Sequence, residues 1–236
     1  MPLFFTFVFV VAGAIIGFWL YKLIRLFTSV PAFQAYWVKR KKKPGTFVYV
    51  ALGDSAAQAV GAKRPEDGYV ALIAQNIERV TGKTVQIINL SVSGAKTHHL
   101  IDVQLPLLKD LKPDLVTLGI GGNDIKTYNS AEFEKNMKEI LKQMPASTVV
   151  ADAPFFMHGK WMRDSFDMAN NTTRLATEKG LRVAKLFDEM KAQGWNAMWY
   201  AYAADWFHPN NRGYQTWFRA FWKEIEPMLS KHTPQR

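Results

Sequence analysis

From residue 47 onward, short apolar runs alternate with longer stretches of helical period, and this alternation constrains the fold more than any other feature of the chain. The strand-like runs cover residues 47–52, 85–90, 115–120, 148–151 and 181–186. Helix-like runs at 68–80, 97–109, 131–143 and 161–177 lie between them, and a last one, 212–229, closes the pattern. Short strands that are apolar along their whole length are buried on both faces, so the pattern predicts an α/β sandwich with a mainly parallel five-stranded sheet. With 236 residues, 48% of them apolar and 21% charged, the chain can form one domain with a sizeable core. Ligands of such sheets bind outside the carboxyl ends of the strands, which directs attention to the residues just after each run.

Those residues are chemically pointed. The first run ends in Gly53-Asp54-Ser55, the second in NLSVSGAKT (89–97), the third in GIGGNDI (119–125) and the fourth in DAPFFMHG (152–159); DWFHPNNRGY (205–214) follows far downstream. Ser55 alone reads as a helix cap as readily as a nucleophile. A serine hydroxyl becomes a nucleophile when a histidine, held by a carboxylate, takes its proton. His208 has Asp205 three residues before it, a spacing that one turn can close, and Pro209 keeps His208 extended. Oxyanion donors are at hand as well: the Ser55 N–H at a predicted helix start, the unhindered N–H of Gly94 and the side-chain amide of Asn123. Asp54 and Asp124 read as structural residues that hold their turns. His98 and His99 read as helix-start residues. His158 lies near the predicted cleft in a loop with Phe155, Phe156, Met157, Trp161 and Met162, which reads equally as an apolar acyl pocket and as a packed lid. Tyr214, Trp217, Phe218, Phe221 and Trp222 have the spacing of the core face of an amphipathic helix.

In this order, GDS, the Gly94 loop, G-x-N-D (121–124) and D-x-x-H-P (205–209) resemble the SGNH (GDSL-type) hydrolases, over about residues 47–229. The resemblance implies a flavodoxin-like three-layer α/β/α fold and hydrolysis of esters or thioesters through an acyl-enzyme. It implies Ser55 as nucleophile, His208 as base and Asp205 as its partner, with Ser55, Gly94 and Asn123 forming the oxyanion hole. It implies no metal and no organic cofactor. Ala56 stands where the name-giving motif has leucine, a packing position, and the elbow G-x-S-x-G of another hydrolase fold is absent around Ser55.

The N-terminus is a separate matter. Of a net charge of +10, seven positive charges and no acid fall in residues 1–43, leaving 23 basic against 20 acidic side chains. The main domain is therefore not strongly basic, and no nucleic-acid partner is implied. Residues 3–21 (LFFTFVFVVAGAIIGFWLY) carry no charge and are long enough to cross a bilayer, which needs about 20 helical residues. No Lys or Arg precedes this run and no small-x-small site follows it closely, which favours a retained anchor over a cleaved signal. The cations after it (Lys22, Arg25, then Lys39, Arg40, Lys41, Lys42 and Lys43) place the main domain on the cytoplasmic face by the positive-inside rule. The basic run is expected to meet anionic headgroups, residues 23–38 to lie in the membrane interface, and Gly13 with Gly17 to offer a homodimer contact. The division is then 1–45 for anchor and basic juxtamembrane linker and 46–236 for the hydrolase domain. With no cysteine in the chain, disulfides and thiolate sites are excluded.

The expected function is that of a membrane-anchored serine esterase, lipase- or lysophospholipase-like, acting on a small-molecule or lipid ester through Ser55. Two alternatives stay open: a carbohydrate O-acetylesterase acting on envelope glycans, and a non-catalytic membrane-tethered binding module.

Overall fold

The computed structural model describes residues 2–229, with side chains from Phe4 onward, so His232 lies outside the described residues. Five strands form: β1 (Phe47–Gly53), β2 (Val85–Asn89), β3 (Leu115–Gly119), β4 (Thr148–Ala151) and β5 (Arg182–Ala184). They join in one sheet, β2-β1-β3-β4-β5, and every neighbouring pair is parallel. The helices are α1 (Pro2–Arg40), α2 (Tyr69–Thr81), α3 (Thr97–His99), α4 (Leu105–Leu108), α5 (Ser130–Lys142), α6 (Gly159–Glu178), α7 (Leu186–Lys191), α8 (Ala197–Tyr200) and α9 (Asn211–Leu229). α2 and α7 pack with α9 on one face of the sheet, and α3, α5 and α6 cover the other. This is the α/β sandwich that the alternating pattern predicts, in the three-layer α/β/α form that the family resemblance implies.

The chain passes from β1 outward to β2 and then back across β1 to β3. The direction of winding therefore reverses between β1 and β3, whose last residues, Gly53 and Gly119, are partners in register. A crevice opens at such a reversal, at the carboxyl end of the sheet. On the α9 side, Tyr69 is stacked between Trp217 and Phe221, at centroid distances of 5.4 and 5.0 Å. The aromatic stripe of α9 is thus core, with Phe218 and Trp222 at its partly buried margin.

Two expectations change. No helix follows Ser55: residues 55–61 wind through turns, with Ala59 N–H donating to Ala56 O and Val60 N–H to Ser55 O. Ala59 has φ +69, a left-handed value that stops helical winding, and α2 begins only at Tyr69. The other change concerns residues 23–38, which do not form a separate interfacial segment. α1 is continuous to Arg40, and Leu23, Leu26, Val30, Phe33, Trp37 and Arg40 form one stripe turned inward, with Leu26, Phe33 and Trp37 buried. A lone helix cannot bury its own side chains, so this stripe is docked on the body of the protein. The Trp37 indole N–H donates to Gln58 O at 3.1 Å and an Arg40 N–H to Val85 O at 3.2 Å.

The docking also moves the basic run. At 1.5 Å per helical residue, Lys39 lies about 27 Å along α1 from Tyr21, well beyond the roughly 10 Å over which charge acts in salt. The structure thus separates Lys39, Arg40, Lys41, Lys42 and Lys43 from the end of the apolar run. Arg40 instead binds the start of β2, and Lys41 O accepts from the Gln86 amide.

Candidate active site

The site is assembled from the strand ends inward. Gly53 leaves β1 with φ +154, and a Cβ there would lie 2.3 Å from Gly119 O on β3, so only glycine lets the two strands close. A π-wound turn, Leu100–Gln104, aims the Gln104 amide at this residue: Gly53 N–H donates to Oε1 at 2.9 Å and Nε2 donates to Gly53 O at 2.7 Å. Asp54 Oδ1 accepts from Ala56 N–H at 2.9 Å and holds the next bend. Ser55 sits between these two fixed points.

Facing it is the turn before α9. Asp205 Oδ1 accepts from the N–H groups of Phe207 and His208, at 3.2 and 3.1 Å, while Oδ2 lies 2.5 Å from His208 Nδ1. His208 Nε2 is 2.9 Å from Ser55 Oγ. A carboxylate on Nδ1 favours the tautomer with its proton there, which leaves Nε2 to accept from the serine hydroxyl. Burial pushes the Asp205 carboxyl up, but its hydrogen bonds to the His208 ring, the charge on that ring and the two backbone donors outweigh burial and hold it below the ordinary range. Asp54 goes the other way: burial lifts it to about 6, only partly opposed by the Ala56 N–H and by His208. Of the two carboxyls, Asp205 is therefore the one kept ionised beside the imidazole.

The other candidates lie close by. Gly94 has φ +80, a conformation that favours glycine. Its loop is bound to that of Ser55 by the Gln58 side chain, which donates to Ser91 O and accepts from Ser93 Oγ, both at 2.7 Å. Asn89 adds a bond to Ala57 O. The Asn123 amide donates to Ala95 O at 3.1 Å and more weakly, at 3.5 Å, to Asp54 Oδ2. The loops of Ser55, Gly94 and Asn123 are thus tied to one another at the crevice. Asp124 accepts from Thr97 N–H and Thr97 Oγ1, a structural arrangement.

Beside Ser55 and His208 is a cavity of about 30 Å³, walled by Phe155, Phe156, Met190, Tyr202, Phe207 and Trp217. Phe155 and Phe156 are both wall and packed core: Phe155 meets Phe187 edge-on and Phe156 stacks on Phe207. Asp152 anchors this loop by accepting from Ala153 and Phe187 N–H groups. His158 is exposed at the start of α6 and takes no part in the cavity wall. His98 and His99 lie ring against ring, and among the described residues no three His, Cys, Asp or Glu side chains cluster as metal ligands do.

The profile of the GDSL-like Lipase/Acylhydrolase family matches residues 51–216, which contain Ser55, Gly94, Asn123, Asp205 and His208. The chain belongs to that family. Solved structures agree on the fold. A lipase/acylhydrolase from Enterococcus faecalis superposes with TM-score 0.65 at 18% identity, over 81% of this chain and 100% of its own. LAE5, an alpha/beta hydrolase enzyme from the metagenome of Lake Arreo, gives 0.65 at 20%, over 79% and 98%. The acetylxylan esterase Axe2 from Geobacillus stearothermophilus gives 0.61 at 20%, over 76% and 94%. No curated protein matches the chain in sequence.

In this GDSL-family chain, sequence reasoning passed over Gln104, Gln58 and Asn89, which hold the site from behind. Their positions are set by a π-wound turn and by side chain-to-loop bonds of long sequence separation, neither of which leaves a local pattern. The docked stripe of α1 was different: apolar residues at 23, 26, 30, 33 and 37 keep helical spacing and could have been read.

Proposed function

We propose that this protein is a membrane-anchored serine hydrolase of carboxylic esters, acting on a lipid-like acyl ester or thioester. One observation carries the reading: a serine hydroxyl, an imidazole and a carboxylate in series, at 2.9 and 2.5 Å, where the sheet opens. Ser55 Oγ attacks the ester carbonyl while His208 takes its proton; the bond to the alcohol breaks, and His208 passes that proton to the leaving oxygen. Water then attacks the acyl-enzyme, giving a proton to His208, and the acid leaves as Ser55 is restored. The N–H groups of Ser55 and Gly94 and the Asn123 amide are suited to hold the carbonyl oxygen as it becomes negative. Asn123 frees one N–H for this by giving up its long contact to Asp54.

The apolar walls of the cavity and the apolar half of α1 support a lipid-like substrate taken from a bilayer. The cavity volume supports a second reading. About 30 Å³ admits two or three water-sized groups, which suits an acetyl ester; an octanoyl chain would need Phe155 and Phe156 to move. For the anchor, Lys22 and Arg25 after the apolar run favour a cytoplasmic catalytic domain, testable by impermeant labelling of single introduced cysteines. A fluorophosphonate probe tests the chemistry: wild type is expected to be labelled and Ser55→Ala not, whereas equal labelling, or none, returns the chain to a non-catalytic binding role. Rates on p-nitrophenyl acetate and octanoate separate the two substrate readings, and a strong acetyl preference defeats the lipid one.

A further inference from the structure

Three tryptophans, Trp195, Trp199 and Trp206, are turned outward, at 68%, 77% and 54% exposure, in a molecule whose other large aromatics are mostly buried or on the apolar half of α1. Trp199 and Trp206 meet edge to face with centroids 6.1 Å apart, so they form one surface. Trp206 stands between Asp205 and His208 and has φ +53. A non-glycine residue there is strained. That conformation closes the Asp205–His208 turn while its indole stays outside.

The occupant of this surface follows from α1. Side chains 4–22 of α1 are exposed, and that apolar half ends at Trp19 and Tyr21. The Trp19 indole N–H donates to Ala204 O at 3.1 Å. The place where the apolar run ends is therefore also the place where the histidine-bearing loop begins. Trp206 is two residues from Ala204, hence within about 7 Å of it along the chain. A headgroup layer is roughly 5–8 Å deep on each side of a bilayer's hydrocarbon core. Indoles favour that layer, since one edge is apolar and the N–H is wet. Lys22 and Arg25 leave α1 at the same level, and Arg25 reaches Lys63 O on the neighbouring loop.

We propose that the face carrying Trp199 and Trp206 is a second membrane contact, which seats the mouth of the active site in the headgroup layer of the bilayer that α1 enters. This rests on the reading of α1 as a membrane span. α1 fixes the depth and the tryptophans fix the rotation, so an ester in the outer part of the bilayer faces Ser55 without leaving the membrane.

The native chain has no cysteine, so single labels are clean. Full-length Ile15→Cys, Trp199→Cys and Lys142→Cys variants, each carrying the fluorophore NBD, are reconstituted into phosphatidylcholine–phosphatidylglycerol liposomes containing doxyl-labelled lipid. Fluorophosphonate labelling checks that each is folded. Lys142, at the opposite end of the sheet, serves as the aqueous reference. The expected result is severalfold stronger quenching at positions 15 and 199 than at 142. Quenching at 15 with none at 199 overturns the proposal and leaves the span standing. So does a 199–199 disulfide formed on mild oxidation of the unlabelled Trp199→Cys variant, with no quenching of the labelled one, which assigns the face to a second copy. Quenching at neither site removes the span, and the proposal with it.

Discussion

Residues 23–38 read in the sequence as a segment lying in the membrane interface, yet removing residues 22–40 should unfold the enzyme. Leu26, Phe33 and Trp37 are buried against the body of the protein, at 6%, 7% and 3% exposure. Burying an apolar side chain of this size contributes about 1.5–3 kcal/mol, so the three together contribute about 5–9. The bonds from Trp37 to Gln58 O and from Arg40 to Val85 O add about 1 kcal/mol each. The sum is comparable with the whole stability of a typical domain, about 5–15 kcal/mol. The part of α1 before Lys22 contributes little of this kind, since its side chains are exposed from Phe4 onward, and the Trp19 bond ties it to the body.

The prediction is therefore a contrast between two truncations. A chain starting at residue 22 should unfold in urea near the midpoint of the full-length protein and hydrolyse a soluble p-nitrophenyl ester at a similar rate. A chain starting at residue 44 should be largely unfolded without denaturant, or lose most of its midpoint, and should label poorly with fluorophosphonate. Trp37 also supports the loop after Ser55 directly, so the point variant Trp37→Ala should lose about 3–5 kcal/mol on its own. Equal midpoints and equal rates for the two truncations would refute the docking argument, because no rearrangement of a solvated stalk matters to a domain it does not touch.

Other expectations follow from the site. Asp205→Asn should lower kcat by roughly three to four orders of magnitude with little change in KM, since it loses the tautomer control of His208; a loss under tenfold argues that another group orients the ring. His158→Ala should leave acetate and octanoate kinetics within about twofold, as expected of an exposed side chain outside the cavity wall. Burial lifts Asp152 to about 6, against backbone donors from Phe187 and Ala153 that pull it down. The unfolded chain then releases this proton first, so stability falls as pH rises from about 4 to 6 and stays lower above, by up to about 3 kcal/mol. Asp152→Asn should remove that slope, and urea midpoints that stay a constant distance from wild type across the window would contradict it. Trp217 has a buried indole N–H with no partner among the described residues. Trp217→Phe should therefore hold or raise the urea midpoint at the cavity wall, and a loss above about 3 kcal/mol would show that the indole is paired.

How much of this could be read from the chain depends on whether the information was local. Strand and helix runs are local: β1 through β5 fall on the predicted runs because a parallel strand must be apolar along its length, with the edge strand Arg182–Ala184 shorter than its run. The blocks around Ser55, Gly94, Asn123 and His208 were legible for the same reason, each sitting directly after a strand or within one turn. What was misread depends on a single backbone choice or a distant partner. Ala59 adopts a left-handed φ that nothing in GDSAAQA announces, and that choice turns an expected helix into a run of turns. The support of Ser55 then comes from elsewhere: Gln104 on Gly53, Asp54 on Ala56, and Tyr214 on Val60 O. The same loop receives Trp37 from α1. A composition break at residue 45 is a real break in charge, yet the contacts cross it, because a helix with one inward stripe and one charged face satisfies the protein and the solvent at once. The boundary that matters physically is therefore near Lys22, where side chains become buried against the protein, and it is just before this point that α1 meets the turn bearing His208, through the bond from Trp19 to Ala204 O.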